Sequence, residues 1–305
     1  MTDEAGPLRF AEAAWERSRE APRVDAAFLR DRLRRWPHLL DRPWSVLGGG
    51  LRSLNVRLGE DLVARLSLAA GHDLRKEAAI LRRMEGRVRV PRVVDGDGSA
   101  LLLEYVPHAG LPGSEEAGLR TGRALARIQG ERFPRPGLLD ADLRVPEPFP
   151  SALEGLRQWA GECLAGGAGE RLGGRAPAVR ALWEREEARL DGACGDVVLV
   201  HSDFKPANVK WLPAERDVLV LDWEFAWAGP PLLDVGMLLR WGAPAGFVAG
   251  FERGYGEEGG SLPPGWRRTA ELLDLFNLVG LLALDVPGAV RERDLLLRVD
   301  ETLRA

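Results

Sequence analysis

The sequence predicts an α+β fold in which a small antiparallel sheet with one helix precedes a larger, mostly helical part. Short apolar segments joined by tight turns fill residues 44–106, a pattern typical of neighbouring strands. Helical periodicity dominates from Ser114 onwards. One hairpin interrupts the helical part, because β-rich segments at 209–212 and 218–221 flank a polar turn. We therefore expect an N-terminal lobe over residues 1–106 and a C-terminal lobe over residues 107–305.

The first 40 residues precede the sheet and show helical periodicity. Apolar residues recur at helical spacing until Pro37 and Pro43 end the pattern. They are Phe10, Ala13, Ala14, Trp15, Phe28, Leu29, Leu33 and Trp36. We interpret the segment as a packing extension in front of the first strand. A cap over the active site and a dimer contact are the alternatives.

A glycine cluster follows the first strand of the N-terminal lobe. The predicted strands are at 44–47, 55–58, 62–68, 90–94 and 100–106, and an amphipathic helix is predicted at 71–85. Gly48, Gly49 and Gly50 could bring backbone N–H groups against phosphates, although hairpins also use glycine. Their position ahead of two strands and a helix favours phosphate binding.

The C-terminal lobe is predicted to be helical apart from the hairpin. The helices are expected at 114–131, 152–164, 178–190, 232–241, 245–255, 266–284 and 290–303. Gly246, Gly250 and Gly254 count against the fifth of these, because glycine is a poor helix former. The proline-rich segment 134–150 is predicted to be a loop, and the glycine-rich segment 165–174 a flexible connection.

Composition excludes several classes of protein. The net charge of −4 gives no electrostatic footprint for nucleic acid. The two cysteines, Cys163 and Cys194, have no metal-like spacing and suit a reducing compartment. The N-terminus lacks the features of a signal peptide, and the most apolar segment, 272–286, is too short and too polar to span a membrane. We expect a cytoplasmic protein without nucleic-acid or membrane partners, in an oligomeric state that the sequence leaves open.

Residues suited to phosphoryl transfer cluster where an apolar segment at 197–200 ends. This reaction requires a carboxylate beside the attacking hydroxyl, oxygen ligands for Mg²⁺ and positive charge at the transferred phosphate. Asp203 can be the carboxylate, and Asn208 and Asp222 offer oxygen ligands. Lys205 is two residues from Asp203, so in an extended loop both side chains leave the same side and Lys205 can reach the γ-phosphate.

This stretch resembles the catalytic segment of kinases. His-Ser-Asp-Phe-Lys-Pro-Ala-Asn at 201–208 is similar to the kinase catalytic loop, and Asp-Trp-Glu at 222–224 takes the place of Asp-Phe-Gly. The Asp-Trp-Glu form, with Gly-Pro-Pro at 229–231 and Asp234 close behind, is more similar to the aminoglycoside phosphotransferase and choline kinase family. The resemblance implies a two-lobed, protein-kinase-like fold.

The resemblance also implies roles for individual residues. Asp203 becomes the catalytic base, Asn208 and Asp222 the magnesium ligands, and His201 and Asp234 the supports of the loop. ATP and Mg²⁺ are the implied cofactors.

The resemblance extends to the N-terminal lobe. Arg65 stands on the third strand where kinases carry lysine, and arginine can contact phosphate through two N–H groups. Glu77 resembles the helix glutamate that pairs with this cation, with a solvated surface charge as the alternative. The backbone around Glu104 and Val106 looks like the hinge that binds the adenine edge, although an edge strand before Pro107 would give the same sequence.

The favoured function is an ATP- and magnesium-dependent phosphotransferase that moves the γ-phosphate to a hydroxyl of a small molecule. A nucleotide-binding pseudokinase is the alternative, but the four candidate catalytic and metal-binding residues are all present. A protein kinase is disfavoured because Ser202 replaces the arginine of that loop. Moreover, only eleven residues separate Asp222 from Asp234, which leaves no room for a regulated activation loop.

An aminoglycoside-like acceptor is favoured on charge. A polycation would need a carboxylate-lined cavity, and the C-terminal region supplies Glu257, Glu258, Glu271, Asp274 and Asp285. Charged residues on helices usually form a solvated face, which is the alternative interpretation. Choline, homoserine, sugars and amino alcohols stay open as acceptors.

Overall fold

A five-stranded antiparallel sheet forms the N-terminal part of the protein. The computed structural model describes residues 6–8, 15, 23–49, 52–69, 71–284 and 288–305. The sheet has the order β1-β2-β3-β5-β4. Its strands are β1 (Trp44–Gly49), β2 (Ser53–Leu58), β3 (Leu62–Ser67), β4 (Val93–Gly96) and β5 (Ala100–Glu104). Helix α1 (Ala26–Arg32) precedes the sheet, and α2 (Arg75–Met84) connects β3 to β4. The predicted α+β class is confirmed.

The two faces of this sheet pack against different helices. Leu54, Val56 and Leu58 form a buried cluster with Leu29 and Leu33 from α1 and its C-terminal end. Because side chains alternate along a strand, Arg65 points to the opposite face, the one that carries α2. The sheet therefore presents Arg65 towards α2 and the second lobe.

Residues 23–40, the longest described part of the N-terminal extension, are only partly helical. They contain α1 and a 3₁₀ turn at Pro37–Leu39. Asp25 caps α1 by accepting a hydrogen bond from the Phe28 N–H at 2.9 Å. Trp15 instead contacts the helical lobe, where its Nε1 donates to Asp294 at 3.2 Å. Phe10, Ala13 and Ala14 lie outside the described residues.

Nine helices and two small sheets form the described C-terminal part, and α10 lies at its centre. The helices are α3 (Glu115–Gln129), α4 (Ala152–Ala165), α5 (Gly167–Leu172), α6 (Arg175–Arg185), α7 (Glu187–Ala193), α8 (Leu232–Leu239), α9 (Ala245–Glu257), α10 (Trp266–Ala283) and α11 (Ala289–Arg304). Helix α10 packs against α4, α5, α8 and α11. Phe276 of α10 stacks on Trp183 at a centroid distance of 4.1 Å. No helix in the described part of the chain is long and apolar enough to cross a membrane.

The two small sheets position the loop that carries Asp203. Their strands are β6 (Ala109–Gly110), β7 (Gly137–Leu138), β8 (Val198–Val200), β9 (Val209–Leu212), β10 (Asp217–Val220) and β11 (Trp227–Gly229). They form the sheets β10-β9-β6 and β7-β11-β8. The predicted hairpin is confirmed as β9 and β10, which pair Val209 with Val220. The loop 201–208 therefore runs from one sheet to the other.

A seam of glycines joins α3 to α9. A Cβ on Gly118 or Gly122 would meet the backbone of α9 at 2.0–2.2 Å. A Cβ on Gly250 or Gly254 would meet the backbone of α3 at 2.0–2.1 Å. The glycines that weaken α9 as an isolated helix therefore let the two helix backbones approach closely.

Three predicted elements differ in the structure. The glycine-rich segment 165–174 contains α5 rather than a flexible connection, because Ala168 and Leu172 are fully buried in the helical core. The helix expected at 178–190 is divided into α6 and α7 at Glu186. The glycine cluster does not form a loop after β1, because Gly48 and Gly49 continue the strand and pair with Asn55 and Leu54. Gly50 lies outside the described residues.

Candidate active site

Lys205 and Asn208 hold the carboxylate of Asp203. Lys205 Nζ lies 3.0 Å from Asp203 Oδ1. Asn208 Nδ2 donates to Asp203 Oδ2 at 2.7 Å and to the Asp203 carbonyl at 3.0 Å. Both carboxylate oxygens therefore have charged or polar partners, and the structure brings three of the predicted residues into direct contact.

Asp234 fixes the backbone at the start of this loop. Its two carboxylate oxygens accept the N–H groups of His201 and Ser202, each at 2.8 Å. Ser202 has φ = +63°, a conformation that non-glycine residues adopt at a cost. Burial raises the pKa of Asp234 to about 7, although the two N–H donors act in the opposite direction. This carboxylate stabilises the strained turn from which Asp203 projects.

His201 connects the same loop to the chain just before Asp222. Its Nε2 lies 2.9 Å from the Leu221 carbonyl, and its Nδ1 lies 3.3 Å from the Asp203 N–H. This pattern requires the neutral tautomer with hydrogen on Nε2. Burial lowers the pKa of His201 to about 4, in agreement with a neutral ring. The imidazole therefore aligns the segments that carry Asp203 and Asp222.

Arg65 joins the sheet lobe to the segment around Asp222. Its Nε donates to Glu77 Oε2 at 2.7 Å, and its Nη2 donates to Asp222 Oδ1 at 2.5 Å. Burial lowers the pKa of Arg65, but the neighbouring carboxylates outweigh this effect and raise it above its ordinary value. Glu77 is buried and paired with Arg65, so it is not a solvated surface charge. Burial raises the pKa of Glu77, and Arg65 opposes that shift.

Sequence reasoning assigned no role to Glu224, which the structure places beside Arg65. Glu224 is 8% exposed, and its Oε2 lies 3.6 Å from Arg65 Nη2 and 3.5 Å from His72 Nε2. This oxygen has no hydrogen-bond partner among the described residues. Burial raises the pKa of Glu224 to about 7. The signal in the sequence was its place in the Asp-Trp-Glu motif that follows β10, two residues after Asp222.

The predicted hinge follows β5. The Glu104 N–H donates to the Arg92 carbonyl at 2.9 Å, and its carboxylate pairs with Arg89. Val106 lies against the apolar side chains of Leu212 and Leu219. Its carbonyl accepts a hydrogen bond from His108, whereas its N–H has no partner in the part of the chain that the structure describes. The Val106 N–H is therefore a donor that an adenine edge could use, whereas the Glu104 N–H already donates to Arg92.

The acidic residues proposed for a polycationic acceptor are paired with arginines. The ion pairs are Glu257 with Arg123, Glu258 with Arg127, Glu271 with Arg268 and Arg298, and Asp274 with Arg240. Asp285 lies outside the described residues. The four described carboxylates are thus neutralised within the protein, and they do not form an uncompensated acidic cavity.

Comparisons with known proteins identify a family for this chain. A family profile described as the APH phosphotransferase enzyme family matches residues 43–272. The comparison with curated protein sequences found no significant match.

Solved structures with the same fold include three with different acceptors in their names. A macrolide 2'-phosphotransferase from Brachybacterium faecium has a TM-score of 0.62 and 23% identity, over 83% of this chain and 90% of that one. A putative fructosamine-3-kinase from Thermobifida fusca has a TM-score of 0.67 and 22% identity, over 92% and 100%. The streptomycin–ATP ternary complex of APH(2'')-IIa has a TM-score of 0.66 and 16% identity, over 93% and 98%.

These similarities confirm the predicted two-lobed, kinase-like fold. The family profile covers more than half of the chain. The protein therefore belongs to the APH phosphotransferase enzyme family.

Proposed function

We propose that the protein transfers the γ-phosphate of ATP to a hydroxyl group of a small molecule, with Mg²⁺ as the metal cofactor. The observation that carries the proposal is the Asp203 carboxylate, which Lys205 and Asn208 hold at the end of β8. A carboxylate in this position can accept the proton of an attacking hydroxyl. The ammonium group of Lys205, 3.0 Å from that carboxylate, can offset charge on the transferred phosphate.

The residues present fit a magnesium ion bound together with the nucleotide. Glu77, Asp222 and Glu224 surround one guanidinium, so with all three ionised the cluster carries excess negative charge that a divalent cation at Asp222 would offset. Asn208 uses Nδ2 on Asp203, which leaves its Oδ1 as an oxygen ligand. Bound Mg²⁺ would neutralise charge on the phosphates.

The magnesium site would be incomplete without the nucleotide. Among the described residues, no group of three or more His, Cys, Asp or Glu side chains forms a metal site. Magnesium commonly uses one or two protein ligands and completes its coordination with phosphates and water. Asn208 and Asp222 match that requirement. We therefore expect metal and nucleotide to bind together.

The nucleotide would lie between the sheet lobe and the β9–β10 hairpin. Val106 offers its N–H to the adenine edge, and its side chain packs against Leu212 and Leu219. Gly48, Gly49 and Gly50 and the guanidinium of Arg65 are proposed to contact the phosphates. ATP is the nucleotide in the ternary complex of APH(2'')-IIa, whose fold this chain shares.

The acceptor is proposed to be a hydroxyl-bearing small molecule. The paired acids remove the charge argument for a polycationic aminoglycoside, which now rests on family membership alone. The relatives' names span a macrolide, fructosamine and streptomycin, so they do not select one class for this chain. Choline, homoserine and sugars remain candidate acceptors.

An acceptor screen tests this function. Purified protein with ATP and Mg²⁺ would be incubated with aminoglycosides, macrolides, choline, ethanolamine, homoserine, sugars and fructosamines, and ADP release would be measured. We expect at least one small molecule to stimulate ADP release, and no stimulation in the Asp203→Asn control. Stimulation by peptides alone, or equal stimulation in both proteins, would contradict the proposal.

A further inference from the structure

One guanidinium group faces two carboxylates that compete for the same nitrogen. Arg65 Nη2 is 2.5 Å from Asp222 Oδ1 and 3.6 Å from Glu224 Oε2. The first distance is a short, charge-assisted hydrogen bond, and the second is too long for one. Glu224 therefore forms an ion pair with Arg65 but accepts no hydrogen bond from it.

The Glu224 carboxylate is confined in this position. The His72 imidazole lies on its other side, with Nε2 3.5 Å from Oε2. The Nδ1 of His72 is 3.2 Å from the Arg52 carbonyl, so the ring is itself held. A buried carboxylate oxygen without a hydrogen bond is costly, so its presence here requires an explanation.

The other end of the guanidinium is anchored. Arg65 Nε donates to Glu77 Oε2 at 2.7 Å, and the Trp223 backbone also hydrogen-bonds the Glu77 carboxylate. A small rotation about this anchor would move Nη2 from Asp222 to Glu224. The required displacement is about 1 Å, the difference between the present separation and a charge-assisted hydrogen bond.

We propose that Glu224 is a positioning residue that accepts a hydrogen bond from the Arg65 guanidinium when a metal–nucleotide complex binds to Asp222. This inference rests on the proposed function, because it requires Asp222 to be a metal ligand. In the free protein, Arg65 neutralises Asp222. In the complex, the cation neutralises Asp222 instead, and Arg65 pairs with Glu77 and Glu224 while its remaining N–H groups face the phosphates. The exchange gives Glu224 a hydrogen-bond partner in the complex and does not leave Asp222 uncompensated.

Loss of the Glu224 charge has a specific consequence. The Nη2 of Arg65 then has no carboxylate other than Asp222 to bind, so the metal must compete with the guanidinium for Asp222. We expect Glu224→Gln to weaken binding of the magnesium complex of a non-hydrolysable ATP analogue by about tenfold or more, the effect of one charged hydrogen bond. Binding of the same analogue with EDTA should not change.

Isothermal titration with and without Mg²⁺ measures both affinities. Glu187→Gln is the matched control, because it makes the same chemical change in a surface ion pair with Arg157, on α7. Glu224→Asp should act in the same direction as Glu224→Gln, since the shorter side chain withdraws the carboxylate from Nη2. It also provides a second variant if Glu224→Gln fails to fold.

The same titrations in an Arg65→Lys background test the mechanism. Lysine keeps a positive charge near Glu77 but lacks the fork that holds two carboxylates at once. The effect of Glu224→Gln should therefore shrink to less than about threefold, a coupling that identifies a shared interaction. An undiminished effect would show that Glu224 acts on the metal directly, and it would overturn the inference.

The remaining outcomes separate this inference from the proposed function. If wild-type protein binds the analogue more tightly with Mg²⁺ but Glu224→Gln leaves that affinity unchanged, only the movement of Arg65 from Asp222 to Glu224 is overturned. If wild-type binding does not depend on Mg²⁺, the proposed metal-dependent function fails, and the inference fails with it.

Discussion

The guanidinium of Arg65 donates to the carboxylate of Asp222, with Nη2 and Oδ1 2.5 Å apart. A strand of the sheet lobe is thereby tied to the segment that follows the β9–β10 hairpin. Because Glu77 of α2 holds the same guanidinium, one side chain sets the relative position of three elements. The contact is both structural and, on the proposed function, part of the phosphate site.

We expect Arg65→Ala to raise the KM for ATP or lower kcat by about tenfold or more, because a charged hydrogen bond is lost. The variant should also be less stable, since the buried carboxylate of Glu77 loses its charged hydrogen-bond donor. Steady-state kinetics and thermal unfolding measure the two effects. Arg65→Lys should recover part of both, and unchanged kinetics in Arg65→Ala would show that the arginine is only structural.

Asp203→Asn should separate chemistry from binding. The substitution keeps the shape of the side chain and removes its charge, so turnover with the true acceptor should fall at least about a hundredfold. Nucleotide affinity should be nearly unchanged, because Asn208 and Asp222 are the proposed metal ligands. Turnover above about half of the wild-type value would contradict the assignment of Asp203 as the base.

Asp222→Asn is the comparison for this experiment. It should weaken magnesium-dependent nucleotide binding as well as turnover. Identical binding behaviour in the two variants would count against the division of roles between Asp203 and Asp222.

The buried imidazole of His201 contributes stability that is lost in mild acid. Its pKa is about 4 in the folded protein and 6.5 when exposed. Between these values the unfolded chain takes up a proton and the folded protein does not, so this contribution is fully present above pH 6.5 and is lost as the pH falls towards 4. At pH 5 the loss is about 2 kcal/mol relative to neutral pH.

Urea denaturation at pH 7 and pH 5 measures this contribution. His201→Gln cannot titrate but can still donate to the Leu221 carbonyl, so between pH 7 and pH 5 the wild type should lose about 2 kcal/mol of stability relative to this variant. Asp234 and Glu224, whose pKa values are raised to about 7, act in the opposite direction and are common to both proteins. Equal pH dependence in the two proteins would exclude a neutral, buried His201.

The glycine seam predicts that Gly250→Ala destabilises the protein by at least about 2 kcal/mol, because its Cβ would lie 2.0 Å from the Glu115 carbonyl oxygen of α3. Gly256→Ala is the matched control on α9, since a Cβ there meets nothing within 4 Å. The control should be neutral or slightly stabilising, as alanine is the better helix former. Chemical denaturation of both variants gives the comparison, and equal stabilities would contradict the close packing.

Local pattern predicted the order of strands and helices, because alternation and helical spacing are properties of neighbouring residues. The resemblance to kinases suggested the pairing of Arg65 with Glu77, which the structure contains. Helix α5 was not predictable from composition, since its stability comes from burial of Ala168 and Leu172 in the helical core rather than from helix propensity.

Ion pairs between residues that are distant in the chain could not be predicted from local sequence patterns. The charge of Glu257 suggested a ligand site in the sequence. In the structure Arg123, 134 residues earlier, neutralises that charge. The burial of Glu224 depends likewise on Arg65 and His72, which lie on and just after a strand of the other lobe. Long-range charge pairing is set by the tertiary structure and leaves no periodic signal.

Helix α1 determines where the chain can be shortened. Leu54, Val56 and Leu58 form a continuous apolar surface on the outside of the sheet, and Leu29 and Leu33 cover it. A recombinant form beginning at Trp44 would keep every residue proposed for the reaction but would expose this surface to water. Exposed apolar sheet faces favour self-association, so such a form should aggregate during expression even though its catalytic groups are intact.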